Sequence, residues 1–263
     1  MSGTLPEYSI VVPAFNEELY LPRTLDNLRS AMATVAMAGE IIVVDNNSTD
    51  HTSDVARRWG ATVAFEAINQ ISRARNSGAR CARGRYLIFV DADTRVSPEL
   101  LQLALDRLEG KAFAGGGAAI APDRPLKPFY RLALDVWNRF SIKFKIAAGC
   151  FIFCLREGFE AVGGFSQKVY VGEEVWFSID FGRWARSRNL SFSIIDQVPT
   201  VTSMRKLSWF SSYHTLALLV SMIFFPLVMR HRSLCRFWYR RPSHPVGKRV
   251  EPRKRPPSPL RTF

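Results

Sequence analysis

A chain of 263 residues with 47% hydrophobic and 22% charged positions has the balance of a globular core, and its length allows one large α/β domain or at most two small ones. Cys81, Cys150, Cys154 and Cys235 form no C-x-x-C pair, which excludes a disulfide-dense framework and suits free thiols in a reducing compartment. The net charge of +13 is uneven: residues 230–263 hold eleven Lys or Arg against one Glu, so the basic character belongs to a tail and not to the fold.

Residues 8–12 are an apolar run closed by Pro13 and predict a buried strand. Leu21, Leu25, Leu28 and Met32 fall at helical spacing and predict a helix after it. Residues 40–44 are a second β-rich run, ending in Asp45-Asn46-Asn47-Ser48. Residues 48–50 offer caps for the next helix and Gly60 a stop. Residues 61–65 read as a third strand, 71–83 as a polar helix ending at Gly84, and 86–90 as a fourth strand running directly into Asp91-Ala92-Asp93. Ser97-Pro98-Glu99 caps a helix with Leu101, Ala104, Leu105 and Leu108 on one face. This alternation predicts an α/β fold with a mainly parallel central sheet flanked by helices. Carboxylates that end its strands belong at the carboxyl edge, where such sheets bind ligands.

Beyond residue 110 the alternation weakens. Residues 113–120 contain Gly115-Gly116-Gly117 and predict a strand whose backbone is closely approached. A helical excursion over 125–145, a strand over 147–155, a turn at Gly163-Gly164-Phe165, a helix over 173–189 and a last strand over 192–195 follow. Residues 215–229 are almost wholly apolar but contain Pro226, and fall short of the roughly 20 apolar residues a membrane span needs. Arg230, Arg232, Arg236, Arg240 and Arg241 come next, interleaved with Phe237, Trp238 and Tyr239, a mixture suited to anionic headgroups and the bilayer interface. Residues 207–241 are therefore expected to lie on a membrane surface, or else to pack on the domain or in a homodimer interface, with a full span as the third alternative. Residues 242–263 read as a disordered basic, Pro-rich tail. Nucleic acid is not expected as a partner.

Three polar segments follow strands one, two and four. Two carboxylates one residue apart, Asp91 and Asp93, can reach one hard cation such as Mg²⁺ or Mn²⁺, which takes oxygen ligands and leaves positions for phosphates. The segment from Pro13 to Glu17 offers backbone amides, and Asp45 can accept a hydrogen bond from a nucleoside. Their order resembles that of the family 2 glycosyltransferases. The family's V-V-I-P-A-Y-N-E-E opening is matched by Ile10-Val11-Val12-Pro13-Ala14-Phe15-Asn16-Glu17-Glu18. Its V-D-D/N-x-S-x-D is matched by Val44-Asp45-Asn46-Asn47-Ser48-Thr49-Asp50, its R-N-x-G by Arg75-Asn76-Ser77-Gly78, and its F-x-D-x-D by Phe89-Val90-Asp91-Ala92-Asp93. The likeness covers residues 8–205, and four ordered motifs make it specific.

The resemblance implies a GT-A fold, a nucleotide-diphospho-sugar donor of UDP or GDP type, a divalent metal and inversion at the anomeric carbon. It also implies a place in making cell-envelope polysaccharide or glycolipid. By position, Pro13, Phe15, Glu17 and Asp45 resemble nucleoside contacts, and Arg73 and Arg75 the basic donor-site contact. Asp91 would lie near the ribose and phosphates, with Asp93 the direct metal ligand. The family's general base is the second acid of an E-D pair at a helix start. Glu173-Glu174 holds that place and departs from the pattern by one methylene, leaving Glu174 as the expected base. Gly149-Cys150 matches a small pair under the donor sugar. Thr202-Ser203-Met204-Arg205-Lys206 resembles a T-S-x-R-R segment whose Arg205 would meet the departing diphosphate. No Q-x-x-R-W signature is present, and Arg183-Trp184 does not replace it, so single transfer is expected.

On this reading residues 1–206 form the catalytic domain, with a nucleotide-binding half over about 1–110 and an acceptor half over about 111–206. The acceptor is a hydroxyl compound, lipid-linked if 207–241 sits on a membrane. The enzyme is expected in the cytosol, where sugar nucleotides are made, on the inner face of the membrane. Residues 1–9 lack the start of a secretory leader, in keeping with this. A silent transferase fold acting as an adaptor through its basic tail is the alternative. Nucleotidyl transfer is disfavoured, because residues 13–18 contain no Gly-rich loop with Arg and Lys.

Overall fold

The computed structural model describes residues 5–205. The apolar segment expected over 207–241 and the basic tail over 242–263 lie outside the described residues. The described elements are β1 (Tyr8–Ala14), α1 (Leu21–Met32), β2 (Gly39–Asp45), α2 (Thr52–Arg58), β3 (Thr62–Phe65), α3 (Ile71–Cys81), β4 (Tyr86–Val90) and β5 (Thr94–Arg95) in the first half. The second half adds α4 (Pro98–Glu109), β6 (Phe113–Pro122), α5 (Pro128–Phe144), β7 (Phe151–Leu155), α6 (Arg156–Ala161), α7 (Glu173–Arg186) and β8 (Ser191–Thr202).

One sheet runs in the order β3-β2-β1-β4-β7-β6-β8-β5. The first four strands are parallel neighbours, β7 is antiparallel to both β4 and β6, β6 and β8 are parallel, and β5 is antiparallel to β8. The sheet expected to be mainly parallel from the alternation is thus fully parallel among β1 to β4 and mixed beyond them. Every residue of β1 is buried, because helices cover both faces. Period-two alternation sends Ile10 and Val12 to a core with Leu21, Leu25 and Leu28 of α1 and Leu101 and Leu105 of α4. Val11 faces the opposite core, with Ala74 of α3 and a run of contacting rings, Phe89, Phe159, Phe165, Phe177 and Phe181. Fully burying each such Leu or Phe contributes about 1.5–3 kcal/mol.

Most predicted elements stand, and their edges move for identifiable reasons. Helix α2 begins at Thr52, and of the expected caps Asp50 serves it, its Oδ1 accepting from the Thr52 amide. Ser48 Oγ instead accepts from the Asn16 amide, and Asp50 Oδ2 accepts from the Glu18 amide, so these side chains tie down the β1–α1 loop. Strand β7 begins at Phe151, four residues after the expected start. Residues 147–150 form a turn instead, in which the Phe151 amide donates to the Ala148 carbonyl. Strand β8 runs far beyond residue 195. Its register with β6 jumps between Ala118↔Ile195 and Ile120↔Thr200, so residues 196–199 bulge around Pro199. Strand β5 and helix α6, two and six residues long, are too short to show a period in the sequence.

Candidate active site

The carboxyl ends of β1, β2 and β4 deliver the three polar segments to one place, and hydrogen bonds lock the first two together. Asn16 sits in the left-handed region at φ 52° and its Oδ1 accepts from the Thr49 amide. The Glu17 amide donates to Thr52 Oγ1. A cavity of about 340 Å³ opens at this edge, lined by Pro13, Phe15, Glu17, Arg75, Asp91, Asp93, Gly149, Glu173 and Glu174 among others. Nine of the expected site residues therefore share one wall.

Helix α3 accounts for Arg75, Asn76 and Gly78 of the Arg75-Asn76-Ser77-Gly78 motif. The Asn76 side chain donates to the Phe165 carbonyl and accepts from the Phe165 amide, fixing the loop that leads to α7. A Cβ at Gly78 would lie 2.3 Å from Val11 Cγ1, so only glycine lets α3 press on β1. Arg75 is 1% exposed and points inward, bonding Glu173 Oε1, Asp91 Oδ1 at 3.0 Å and the Gly149 carbonyl at 2.7 Å. A Cβ at Gly149 would stand 2.9 Å from the Arg75 guanidinium, which gives that glycine a packing reason to be small. Burial alone would lower the Arg75 pKa, yet the Asp91, Glu173 and Glu174 carboxylates hold it above its usual value.

Three carboxylates thus gather around one guanidinium. Burial first, and the Glu174 charge second, push the Glu173 carboxyl up to about 8 against the pull of Arg75. Glu174 is also raised, burial again the leading cause. The folded pair keeps a proton that the unfolded chain, at the ordinary 4.5, has released. Stability conferred by this proton is full below about 4.5 and is lost as pH rises through about 8. The melting temperature is therefore expected to fall across this window. Glu173→Gln, neutral throughout, should flatten that part of a calorimetric pH series, and an unchanged slope would place the proton elsewhere.

The short pairing of β5 with Thr202 and Val201 brings the end of β8 against Asp93. The Ser203 amide donates to the Asp93 carbonyl. Arg205 then reaches Asp93 Oδ2 at 3.0 Å and Glu17 Oε1, and its guanidinium lies 4.0 Å from the centre of the Tyr20 ring. Arg205 does not line the cavity itself but sits behind Glu17 and Asp93. Two other expected residues also stand off the wall. Asp45 is buried, accepting from the Ser48 amide and the Ser53 hydroxyl, and Arg73 bonds Gln70 Oε1. Cys150 lies in a turn and not in the strand expected over 147–155, because residues 147–150 turn to present the Gly149 carbonyl to Arg75. Asn46, Trp137 and Tyr170 line the cavity and were not singled out from sequence. Asn46 lay within a quoted motif, whereas Trp137 and Tyr170 carry no local signal.

Among the described residues no three His, Cys, Asp or Glu side chains gather as a metal cage. Asp91 and Asp93 offer hard oxygen donors into one cavity, and the guanidinium at Asp93 marks a position that already accommodates a cation. That pair suits an ion that keeps other positions for water or phosphate.

Known proteins resemble this chain. Validoxylamine A glucosyltransferase of Streptomyces hygroscopicus subsp. limoneus is 32% identical over 114 residues, 41% of this chain and 25% of that protein. Dolichol-phosphate mannosyltransferase of Mycosarcoma maydis is 33% identical over 141 residues, 48% of each. The chain thus spans between a quarter and a half of the length of these curated relatives. Among solved structures, a mannosyltransferase from Pyrobaculum calidifontis in complex with GDP-Man and Mn²⁺ superposes with a TM-score of 0.61 at 22% identity, covering 89% of this chain and 65% of that one. Glucosyl-3-phosphoglycerate synthase from Mycobacterium tuberculosis, in complex with Mn²⁺ and UDP, superposes at 0.58 with 18% identity, covering 86% and 80%. These likenesses establish the GT-A fold. Because residues 9–163, more than half of the chain, match the family model, this protein belongs to glycosyl transferase family 2.

Proposed function

We propose that the chain is an inverting glycosyltransferase, moving a sugar from a UDP- or GDP-type donor to an acceptor hydroxyl in one displacement per encounter. The observation that carries this reading is the meeting in one cavity of the strand-end acids Asp91 and Asp93 with the helix-start acids Glu173 and Glu174. GDP-Man with Mn²⁺ in one superposed complex and UDP with Mn²⁺ in the other support both the donor class and a divalent ion. Asp93, with Asp91 in support, would hold Mg²⁺ or Mn²⁺, which when bound neutralises charge on the departing diphosphate.

The protein side chains divide the remaining work. Residues of the half over about 1–110, Pro13, Phe15, Glu17 and the nearby Asn46, hold the nucleoside. Asp45 positions that loop from behind, and Arg73 steadies the neighbouring one through Gln70. Glu174 takes the acceptor proton from the half over about 111–206. Glu173 is tied to Arg75, which leaves Glu174 the acid not held by a guanidinium. Arg75 acts as a positioning residue that keeps Glu173 and Asp91 in place. Arg205 brings positive charge to the diphosphate side. The missing Q-x-x-R-W signature supports single transfer.

The test is a panel of UDP- and GDP-sugars added to the full chain with Mn²⁺, Mg²⁺ or EDTA. The true donor at about 100 times its dissociation constant should stabilise by about 2.7 kcal/mol, raising the melting temperature by about 5–10 °C only with metal. Slow release of nucleoside diphosphate should accompany it. If no sugar nucleotide stabilises the chain under any condition, the transferase reading fails and a silent adaptor takes its place.

A further inference from the structure

We propose that the outward face of α5 docks on an anionic lipid surface and holds the mouth of the catalytic cavity against it. Helix α5 is built inside out. Over its 17 residues only Ser141 is buried, and polar side chains attach it to the body. Asn138 bonds both the amide and the carbonyl of Ile120, and the Ser141 hydroxyl donates to the Ile146 carbonyl. The apolar stripe faces away. Phe129, Leu132, Val136, Phe140 and Phe144, spaced by three or four residues, are 49%, 64%, 58%, 44% and 56% exposed. With Ile142, α5 carries six of the twelve exposed large apolar side chains among the described residues, a concentration that marks a contact surface and not scattered exposure.

Charge identifies the occupant. Lys127, Arg131, Arg139, Lys143 and Lys145 frame the stripe, all exposed, against a single acid, Asp135, which pairs with Arg131. Lysine is depleted from protein–protein interface cores, whereas an apolar face framed by Lys and Arg with aromatic rings is the pattern of a helix lying in a bilayer interface. The stems of these cations can run along the stripe and leave their heads at the level of anionic headgroups. The neutral apolar segment 215–229 could cover the stripe, but it would leave the cations without counter-charge. Trp137 of the same helix lines the cavity. If the transferase reading holds, on which this clause rests, the acceptor is therefore a membrane-embedded hydroxyl compound.

The test uses the full chain with Cys81→Ser and Cys235→Ser and an environment-sensitive fluorophore on Phe140→Cys, since Cys150 and Cys154 are buried. Phosphatidylcholine vesicles are added with and without phosphatidylglycerol, at low salt. A blue shift and quenching by brominated lipid are expected with the anionic vesicles, weakened several-fold by Arg139→Glu with Lys143→Glu. Two results would overturn the proposal. In the first, the label lies in apolar surroundings before lipid is added and is unchanged by it, so that the chain's own segment or a second copy covers the stripe. Alternatively the label stays in water, whether or not the chain pellets with vesicles. Donor binding is read on the same labelled chain by thermal shift. If it persists while the label stays in water, docking alone has failed. If the label enters lipid and no donor binds, docking stands and the transferase reading has failed.

Discussion

Glu174→Gln is expected to lower turnover by about 10²- to 10⁴-fold while leaving the affinity for the sugar nucleotide nearly unchanged. The amide matches the carboxylate in shape but cannot take a proton from the acceptor hydroxyl. Helix α7 starts at Glu173, with Gly172 before it at φ 79°, so both acids occupy its first turn and both line the cavity. Arg75 distinguishes them by holding Glu173. The raised pKa of Glu174 makes it a stronger base than an ordinary carboxylate, and requires a pH high enough to free it of its proton. Steady-state kinetics on both single variants decides the assignment. A dead Glu173→Gln beside an active Glu174→Gln would exchange the two roles, and activity in both would remove the pair from the chemistry.

Asp93→Asn should keep the fold and lose about 10²- to 10³-fold in turnover, the range seen when one preorganised charge-stabilising group is removed. Asp93 has a side chain only 8% exposed, with Arg205 at 3.0 Å. The amide fills the same space but presents no charge to a cation. Arg205 keeps Glu17 as its second partner, so the melting temperature should change little. Binding of Mn²⁺ to the donor-free chain, followed by electron paramagnetic resonance, should weaken in parallel. Full activity in this variant, or in the wild type under EDTA, would sink the metal reading even if the transferase reading stood.

The parts of this protein legible in sequence are those whose cause is local. A five-residue apolar run that ends in Asp91-Ala92-Asp93 reads as β4 with acids at its tip, because a strand buried on both faces needs no partner to announce itself. The same holds for β1, for the leucine face of α1 and for the Ser97 cap of α4, whose hydroxyl accepts from the Leu100 amide. Four such motifs in order were enough to expect the fold and the edge at which the site forms.

Tertiary structure decided which of those groups meet and in which direction they point. Arg75 reaches Glu173 across 98 positions, and Arg205 reaches Glu17 across 188, and neither distance leaves a period or spacing to read. The second contact depends on β5, two residues long and too short to show alternation, which pins the end of β8 beside Asp93. Helix α5 makes the same point about direction. Its periodicity fixes a stripe on one side of the helix, but period alone does not say whether the stripe turns to the core or away. Asn138 and Ser141 settle that by bonding β6 and the loop after α5, which turns the polar side of the helix to the body.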